Sequence, residues 1–336
     1  SAGILANDSN ATNSGATSKI VVEGTQSAGI SIQTTLDKAS AAIATTAKIA
    51  LNEGEITLKA GSNKSAAILG KRATGTPKIT LSNDGTINVE SEESVGINAD
   101  NTVGSKDELL VNNNKTINVK AGKSAGMYSL MENGSTQKLT TQNTETIEVA
   151  QQASAGMFAK NESGQANGQS EVLSSGLIKM TGINSVGIIG KKSKITNSGT
   201  GAKGIEISGA GSAGILATDE SEVINSGRIE GNTGASLVGI SVDKNSTASN
   251  SGTITMKTTS NTGISSTGGA VTNTGTITLE KASSTGISSE NGNVTNDSGA
   301  TITAQEGSSV GIYSKLAGKD DVTVSNAGTI SLSTAS

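Results

Sequence analysis

Histidine, cysteine and tryptophan are absent from this 336-residue chain, and proline occurs once, at Pro77. Without histidine, neither a Ser-His-Asp nor a Cys-His triad can be assembled, and zinc centres of the histidine and cysteine type are excluded with them. The many serines are therefore no sign of a nucleophile. Without cysteine, disulfides contribute nothing, and the redox compartment cannot be read from the chain. Scarce proline suits an uninterrupted stack of strands joined by backbone hydrogen bonds. No apolar run reaches about 18 residues, so no spanning helix is encoded, and the first residues carry no signal-peptide pattern. The formal net charge is −4, too weak to argue for nucleic acid or an anionic membrane, both of which call for concentrated Lys and Arg. The one basic run, Gly190-Lys191-Lys192-Ser193-Lys194, reads as a solvated turn.

With aromatics at 1% and hydrophobic residues at 33%, the composition could pass for a disordered Gly/Ser/Asn/Thr-rich segment. Periodicity argues against that. Variants of Ser-Val-Gly-Ile end at Ile4, Ile30, Ile97, Met127, Met157, Ile188, Ile215, Ile240, Ile264, Ile287 and Ile312, with Ser65-Ala66-Ala67-Ile68 a degenerate copy. Between them runs a second phrase, Asn-Ser-Gly-Thr-Ile in its fullest form, with isoleucines at positions such as Ile87, Ile117, Ile254, Ile277 and Ile330. Two registers advancing together describe one repeating unit, so residues 1–336 are read as a single elongated body rather than two domains.

Inside a unit, Thr276-Ile277-Thr278-Leu279 and Thr116-Ile117-Asn118-Val119 show the alternation of a strand with one buried face. Strands this short are stable only against neighbours, which must supply both hydrogen bonds and core. Intervals of 24, 23 and 25 residues from Ile240 to Ile312 leave room for three short strands and three turns. That is the size of a β-helix coil. The reading is all-β, a parallel β-helix of about twelve coils with short lateral loops, stacked at about 4.8 Å per coil into a rod of order 55 Å. Ile188, Ile215, Ile240, Ile264, Ile287 and Ile312 are the expected core stack.

Units are longer, near 30 residues, over 68–188, and near 25 over 215–336. The extra residues are expected in loops on one side, with Asn133-Gly134-Ser135 and Asn161-Glu162-Ser163-Gly164-Gln165 as exposed turns. Residues 31–51 are a possible lateral insertion: Leu36, Ala39 and Ile43 have helical spacing, while Ser40-Ala41-Ala42-Ile43 resembles the repeat phrase as in a partial coil. In Asn-Ser-Gly, asparagine suits a corner ladder with the next coil, and glycine is expected to supply the positive φ of a tight turn. Asn225, Asn250, Asn273, Asn296 and Asn326 are the ladder candidates. Flat Thr-x-Thr arrays are not expected to recur in register, which sets ice binding aside.

Ser94-Val95-Gly96-Ile97 and Asn83-Asp84-Gly85-Thr86-Ile87, repeated in tandem along essentially the whole chain, resemble the passenger domains of large bacterial autotransporter adhesins, most of all the long surface adhesins of fusobacteria. The resemblance implies a right-handed parallel β-helix on the bacterial cell surface, exported through the outer membrane by a β-barrel translocator on another part of the chain, or secreted. It implies attachment to a host-cell or bacterial surface protein or glycan, without catalysis. The chain opens inside one phrase and closes just after another, so a longer protein is expected. A two-partner secretion exoprotein would share the same coils.

The alternative is a polysaccharide hydrolase or lyase using surface carboxylates, whose working pair must converge at about 5 to 9 Å. The candidates Glu90-Glu92-Glu93, Asp107-Glu108, Asp219-Glu220-Glu222 and Asp320-Asp321 sit in polar segments and read as solubilising turns. No EF-hand loop or Gly-Gly-x-Gly-x-Asp nonapeptide points to calcium. No cofactor, metal or nucleic-acid partner is expected.

Each of the three aromatics follows the repeat phrase directly, so strand alternation turns Tyr128, Phe158 and Tyr313 outward if Met127, Met157 and Ile312 point inward. Leu69, Ile189 and Leu216 share that position. The expected line Leu69, Tyr128, Phe158, Ile189, Leu216 and Tyr313, interrupted by Asn98, is either a contact stripe or satellite core beneath loops of the longer units.

Overall fold

The computed structural model describes residues 1–34, 48–72, 78–101, 108–166, 169–317 and 321–333. Three parallel sheets of twelve strands each wind past one another, every strand pairing with the equivalent strand of the coils before and after. Sheet A holds the Gly-Ile phrase, as in Ala125–Met131; sheet B ends on the asparagines, as in Leu139–Asn143; sheet C holds the Thr-Ile strands, as in Thr146–Val149. The architecture is an all-β parallel solenoid.

Isoleucine register produces this stacking directly. Ile188, Ile215, Ile240, Ile264, Ile287 and Ile312 are paired residues in consecutive sheet A strands. The first five are fully buried, and Ile312, near the last coil, is partly so. Sheet C adds the column Ile229, Ile254, Ile277 and Ile302, also without exposure. A slip by one residue would turn each column outward, so the buried face fixes the register.

Asparagines at the end of sheet B form two runs of side-chain hydrogen bonds, each Nδ2 donating to the next Oδ1. Asn13, Asn52, Asn83, Asn113 and Asn143 are joined at 2.8 Å. Asn197, Asn225, Asn250, Asn273, Asn296 and Asn326 follow at 2.7–2.8 Å. The break falls at Ser174, which pairs in register with Asn143 on one side and Asn197 on the other. A hydroxymethyl group is too short to bridge, and both Ser174 Oγ and Asn197 Oδ1 are buried without a partner. Ser174→Asn is therefore expected to stabilise the rod by about 1–2 kcal/mol, by satisfying buried polar groups. The check is the guanidinium midpoint, and an unchanged or lowered midpoint would sink the account.

Glycine does different work from the turn role expected of it. In the phrase at Asn13-Ser14-Gly15 the glycine does take a positive φ of 91°, but Gly199, Gly227 and Gly252 do not, and are required because backbones stack too closely for a Cβ. At Gly252 an added Cβ would lie 2.1 Å from Gly227 O. At the corner between sheets C and A the left-handed residues are mostly not glycine: Gln26, Lys64, Glu93, Lys123, Ala153, Asn184, Ser236, Ser260, Ser283 and Ser308 are joined there by Gly61, Gly211 and Gly234.

Between sheet A and sheet B the chain is long in the early coils and short later. Nine to ten positions separate Met131 from Leu139 and Asn161 from Ser170 when both ends are counted, whereas only Lys192 and Ser193 separate Lys191 from Lys194. The insertions thus leave from one corner. Their turns are not wholly exposed: Ser135, Asn161 and Ser163 are buried, and Ser163 N donates to Asn161 Oδ1 at 3.0 Å. Of the candidate insertion 31–51, residues 31–34 and 48–51 are sheet strands; Leu36, Ala39 and Ile43, with the rest of 35–47, lie outside the described residues.

One expectation is reversed in sheet C. Thr253 and Thr255, Thr276 and Thr278, and Thr301 and Thr303 stand in register across three coils, continued by Thr329 and Ser331. The ground for setting ice binding aside therefore does not hold. The array is short, however, and is bordered by Arg228 and Glu230, which pair at 2.6 Å.

Candidate interaction surface

On the outer face of sheet A, the position after each core isoleucine or methionine forms one column. Leu69, Asn98, Tyr128, Phe158, Ile189 and Leu216 occupy consecutive coils. All six are half-buried, since neighbours 4.7–4.9 Å away cover their flanks while their outer edges reach solvent. Tyr128 and Phe158 meet edge to face, with centroids 5.3 Å apart and planes at 86°, a favourable aromatic geometry.

Tyr313 does not join them. Ser241, Ser265 and Ser288 occupy the column between Leu216 and Tyr313, so the expected six-residue stripe is a block from Leu69 to Leu216 plus an isolated ring that is 50% exposed. Sharing a register position gives alignment along the rod, whereas contact also requires that adjacent coils carry large side chains.

Beside the aromatic pair runs a groove of about 410 Å³. Its floor contains Ala125, Ala155 and Val186, and its far rim Glu93, Lys123 and Asn184. Among the described residues, every lining residue belongs to the strands of sheet A or to the corner before them, and none to the long loops at the opposite end of the strands. Gly126 keeps the strand close to its neighbour, since a Cβ there would stand 2.7 Å from Gly156 O.

Serines of the repeat phrase form the inner edge of this corner. Ser65, Ser94, Ser124 and Ser154 each donate a backbone N–H to the next serine hydroxyl, at 3.2 Å. This second ladder escaped the sequence reading, although serine two positions before each glycine was its visible trace. It explains the buried serines as hydrogen-bonding parts of the fold.

The carboxylates considered for catalysis are distributed along the rod and matched by lysines of adjacent coils. Glu90 pairs with Lys59 at 3.2 Å and Lys120 at 3.5 Å, Glu93 with Lys64 at 3.8 Å, and Glu108 with Lys78 at 3.4 Å. Asp219 pairs with Lys191 at 3.1 Å and Glu222 with Lys194 at 3.8 Å. Lys59 and Lys120 hold Glu90 below the usual carboxylate range, outweighing partial burial. Glu92 and Asp321 are exposed, and Asp107 and Asp320 lie outside the described residues. Among the described residues no three His, Cys, Asp or Glu side chains cluster as a metal site.

A carboxyl pair unnoticed in the sequence does converge. Asp100, on the outer face of sheet A, and Glu132, just past the next coil's strand, lie close enough for the Glu132 carboxyl to act on Asp100. Burial and the Glu132 charge push Asp100 up to about 6, against an opposing pull from Lys71.

These columns and ladders define the chain's relationships. No curated protein and no solved structure matches it. A family model described as the BigA third pectate lyase-like domain matches residues 110–288, a stretch that runs through the coils carrying Tyr128, Phe158, Ile189 and Leu216. With over half its length matched, and that length built from coils of the same three sheets, the chain belongs to the BigA third pectate lyase-like domain family.

Proposed function

We propose that this chain is a non-catalytic segment of a bacterial surface adhesin, of the autotransporter passenger kind found in fusobacteria, that attaches the cell to a host or bacterial surface protein or glycan. In this reading a β-barrel translocator elsewhere in the protein displays it outside the outer membrane. The observation that carries the reading is the half-buried apolar run of Tyr128, Phe158, Ile189 and Leu216 in consecutive coils, with its aromatic pair and adjoining open groove. A contiguous apolar patch rimmed by polar groups is the surface pattern of an interaction site, and aromatic anchors supply most of the energy at such sites.

The family description contains the words pectate lyase-like, which keeps polysaccharide cleavage as the second reading. Against it, five of the candidate carboxylates, Glu90, Glu93, Glu108, Asp219 and Glu222, are engaged in ion pairs with lysines.

The test is binding of the purified protein to whole human and bacterial cells, compared with a Tyr128→Ala, Phe158→Ala double variant of equal circular dichroism and melting temperature. Saturable binding by the parent, weakened about ten-fold or more in the double variant, is expected. Equal binding by both would remove the stripe from the reading, and no binding by either would leave the segment a spacer.

A further inference from the structure

We propose that the Asp100–Glu132 carboxyl pair makes attachment through the adjoining Tyr128–Phe158 surface stronger in mildly acidic surroundings than at neutral pH. The inference rests on the adhesin reading above and adds its regulation.

The placement follows from register. Asp100 pairs with Leu130 across the coils, and Asn101 with Met131. Glu132 comes next in the chain, its N–H donating to Asn101 O at 3.1 Å. Two acids from successive coils are thereby brought onto the same outer face as Tyr128, whose column neighbour in the preceding coil is Asn98. Asp100 Oδ1 is buried with no donor to it, and the Glu132 carboxyl is near enough to push Asp100 toward its protonated form. A carboxylate that has lost water from one oxygen and faces a second carboxylate is stabilised by holding a proton.

The surrounding charges do not cancel the pair. Among the described residues of the preceding coil, Lys71 pulls Asp100 toward ionisation. From the following coil come Glu132 and the Tyr128 phenol, the latter pushed up by burial and also by Glu162 and Asp100. One coil further, Lys160 is already engaged with Glu162. The net result is an Asp100 carboxyl that keeps its proton up to about 6.

At pH 7.5 Asp100 is charged beside the aromatic block, and near pH 5 it is mostly neutral. Cell surfaces are rich in anionic groups, so each charge removed at contact range lowers the repulsion felt on docking. The effect on affinity is expected to be about five-fold, by Coulomb's law at protein-surface dielectric. The linkage has a definite sign. Asp100 has a folded pKa raised from 3.8 to about 6, so the folded chain binds more protons than the unfolded chain in that window. Its contribution to stability therefore grows as pH falls from about 6 toward 4, opposite to that of an ion-paired carboxylate such as Glu90.

Two measurements decide it. Carbon-13 carboxyl NMR of the whole protein, assigned with Asp100→Asn and Glu132→Gln, is expected to show one carboxyl of the pair titrating near pH 6. Cell binding at pH 5 and pH 7.5 is expected to differ about five-fold in the parent and to be equal in Asp100→Asn, at the level of the acid form. Ordinary titration of both carboxyls near pH 4, or an undiminished pH effect in Asp100→Asn, would overturn the inference while leaving the adhesin reading intact. Absence of binding at either pH would overturn that reading and the regulated attachment with it, even if the NMR titration lay near pH 6.

Discussion

Asn250→Leu is expected to destabilise the coils around it by about 3 kcal/mol, even though the two side chains are close in volume. Asn250 has no exposure to solvent. Its Oδ1 accepts from Asn225 Nδ2 and its Nδ2 donates to Asn273 Oδ1, both at 2.7 Å. Leucine removes both bonds at once and leaves Asn273 Oδ1 buried without its donor. The loss of an unsatisfied buried group exceeds the net worth of the bond itself, and in a chain of polarised amides the loss extends to neighbours. In a solenoid, each coil is stabilised only by the coils it touches. A defect here therefore divides the rod rather than weakening it uniformly. Hydrogen exchange should show reduced protection in Thr247–Asn250 and Ala270–Asn273, with the early coils unchanged. A uniform loss along the rod, or a loss under about 1 kcal/mol, would show that the amide ladder is incidental to stability.

Gly252→Ala should cost about 3 kcal/mol, more than Gly299→Ala at about 1 kcal/mol. The order is the reverse of what backbone conformation alone implies. Gly299 has φ +85°, which disfavours a side chain, yet nothing stands within 4 Å of the Cβ it would gain. At Gly252 the new Cβ would lie 2.1 Å from Gly227 O, 2.7 Å from Ser226 C and 2.8 Å from Gly227 N, all of them backbone. A flexible side chain can yield to such a clash, but a stacked turn can yield only by separating the coils. Separation strains the hydrogen bonds that Ser251 N and Gly252 N donate to Asn225 O, and Thr253 N to Gly227 O, at 2.8–3.0 Å. Guanidinium unfolding of the two variants compares the costs directly. A larger loss for Gly299→Ala would mean that conformational strain, not close stacking, selects glycine in the Asn-Ser-Gly phrase.

Both expectations show where the linear pattern is informative. Recurrence of isoleucine and asparagine at coil-length intervals specifies which residues stack, because parallel strands without slippage bring equivalent positions together. Recurrence of glycine specifies only that a side chain is unwelcome. Positive φ and a backbone 2.1 Å away leave the same mark in the sequence, and three-dimensional neighbours are needed to tell them apart. The serine ladder was hidden for a similar reason: the regular place of serine before Gly-Ile is plain in the repeat phrase, but that its hydroxyl accepts a backbone N–H from the preceding coil is visible only once the coils are stacked.

For the candidate surface, alternation within a strand sufficed to turn Tyr128 and Phe158 outward. Their edge-to-face contact, and the serines that isolate Tyr313, depend on which coil lies next to which. The acidic pair is further from sequence logic. Asp100 and Glu132 are 32 positions apart and do not share a repeat position, since Asp100 is paired with Leu130; Glu132 meets it from just beyond a strand end. By itself the sequence determined the repeating coil, its inward isoleucines and its amide column, because burial and backbone pairing act on every unit alike. Tertiary structure alone decided the corner at which insertions leave, the gap at Ser174, the reach of the apolar block and the meeting of two carboxyls. Those features arise where one coil differs from the next, and their energies belong to a particular pair of neighbours rather than to the repeat.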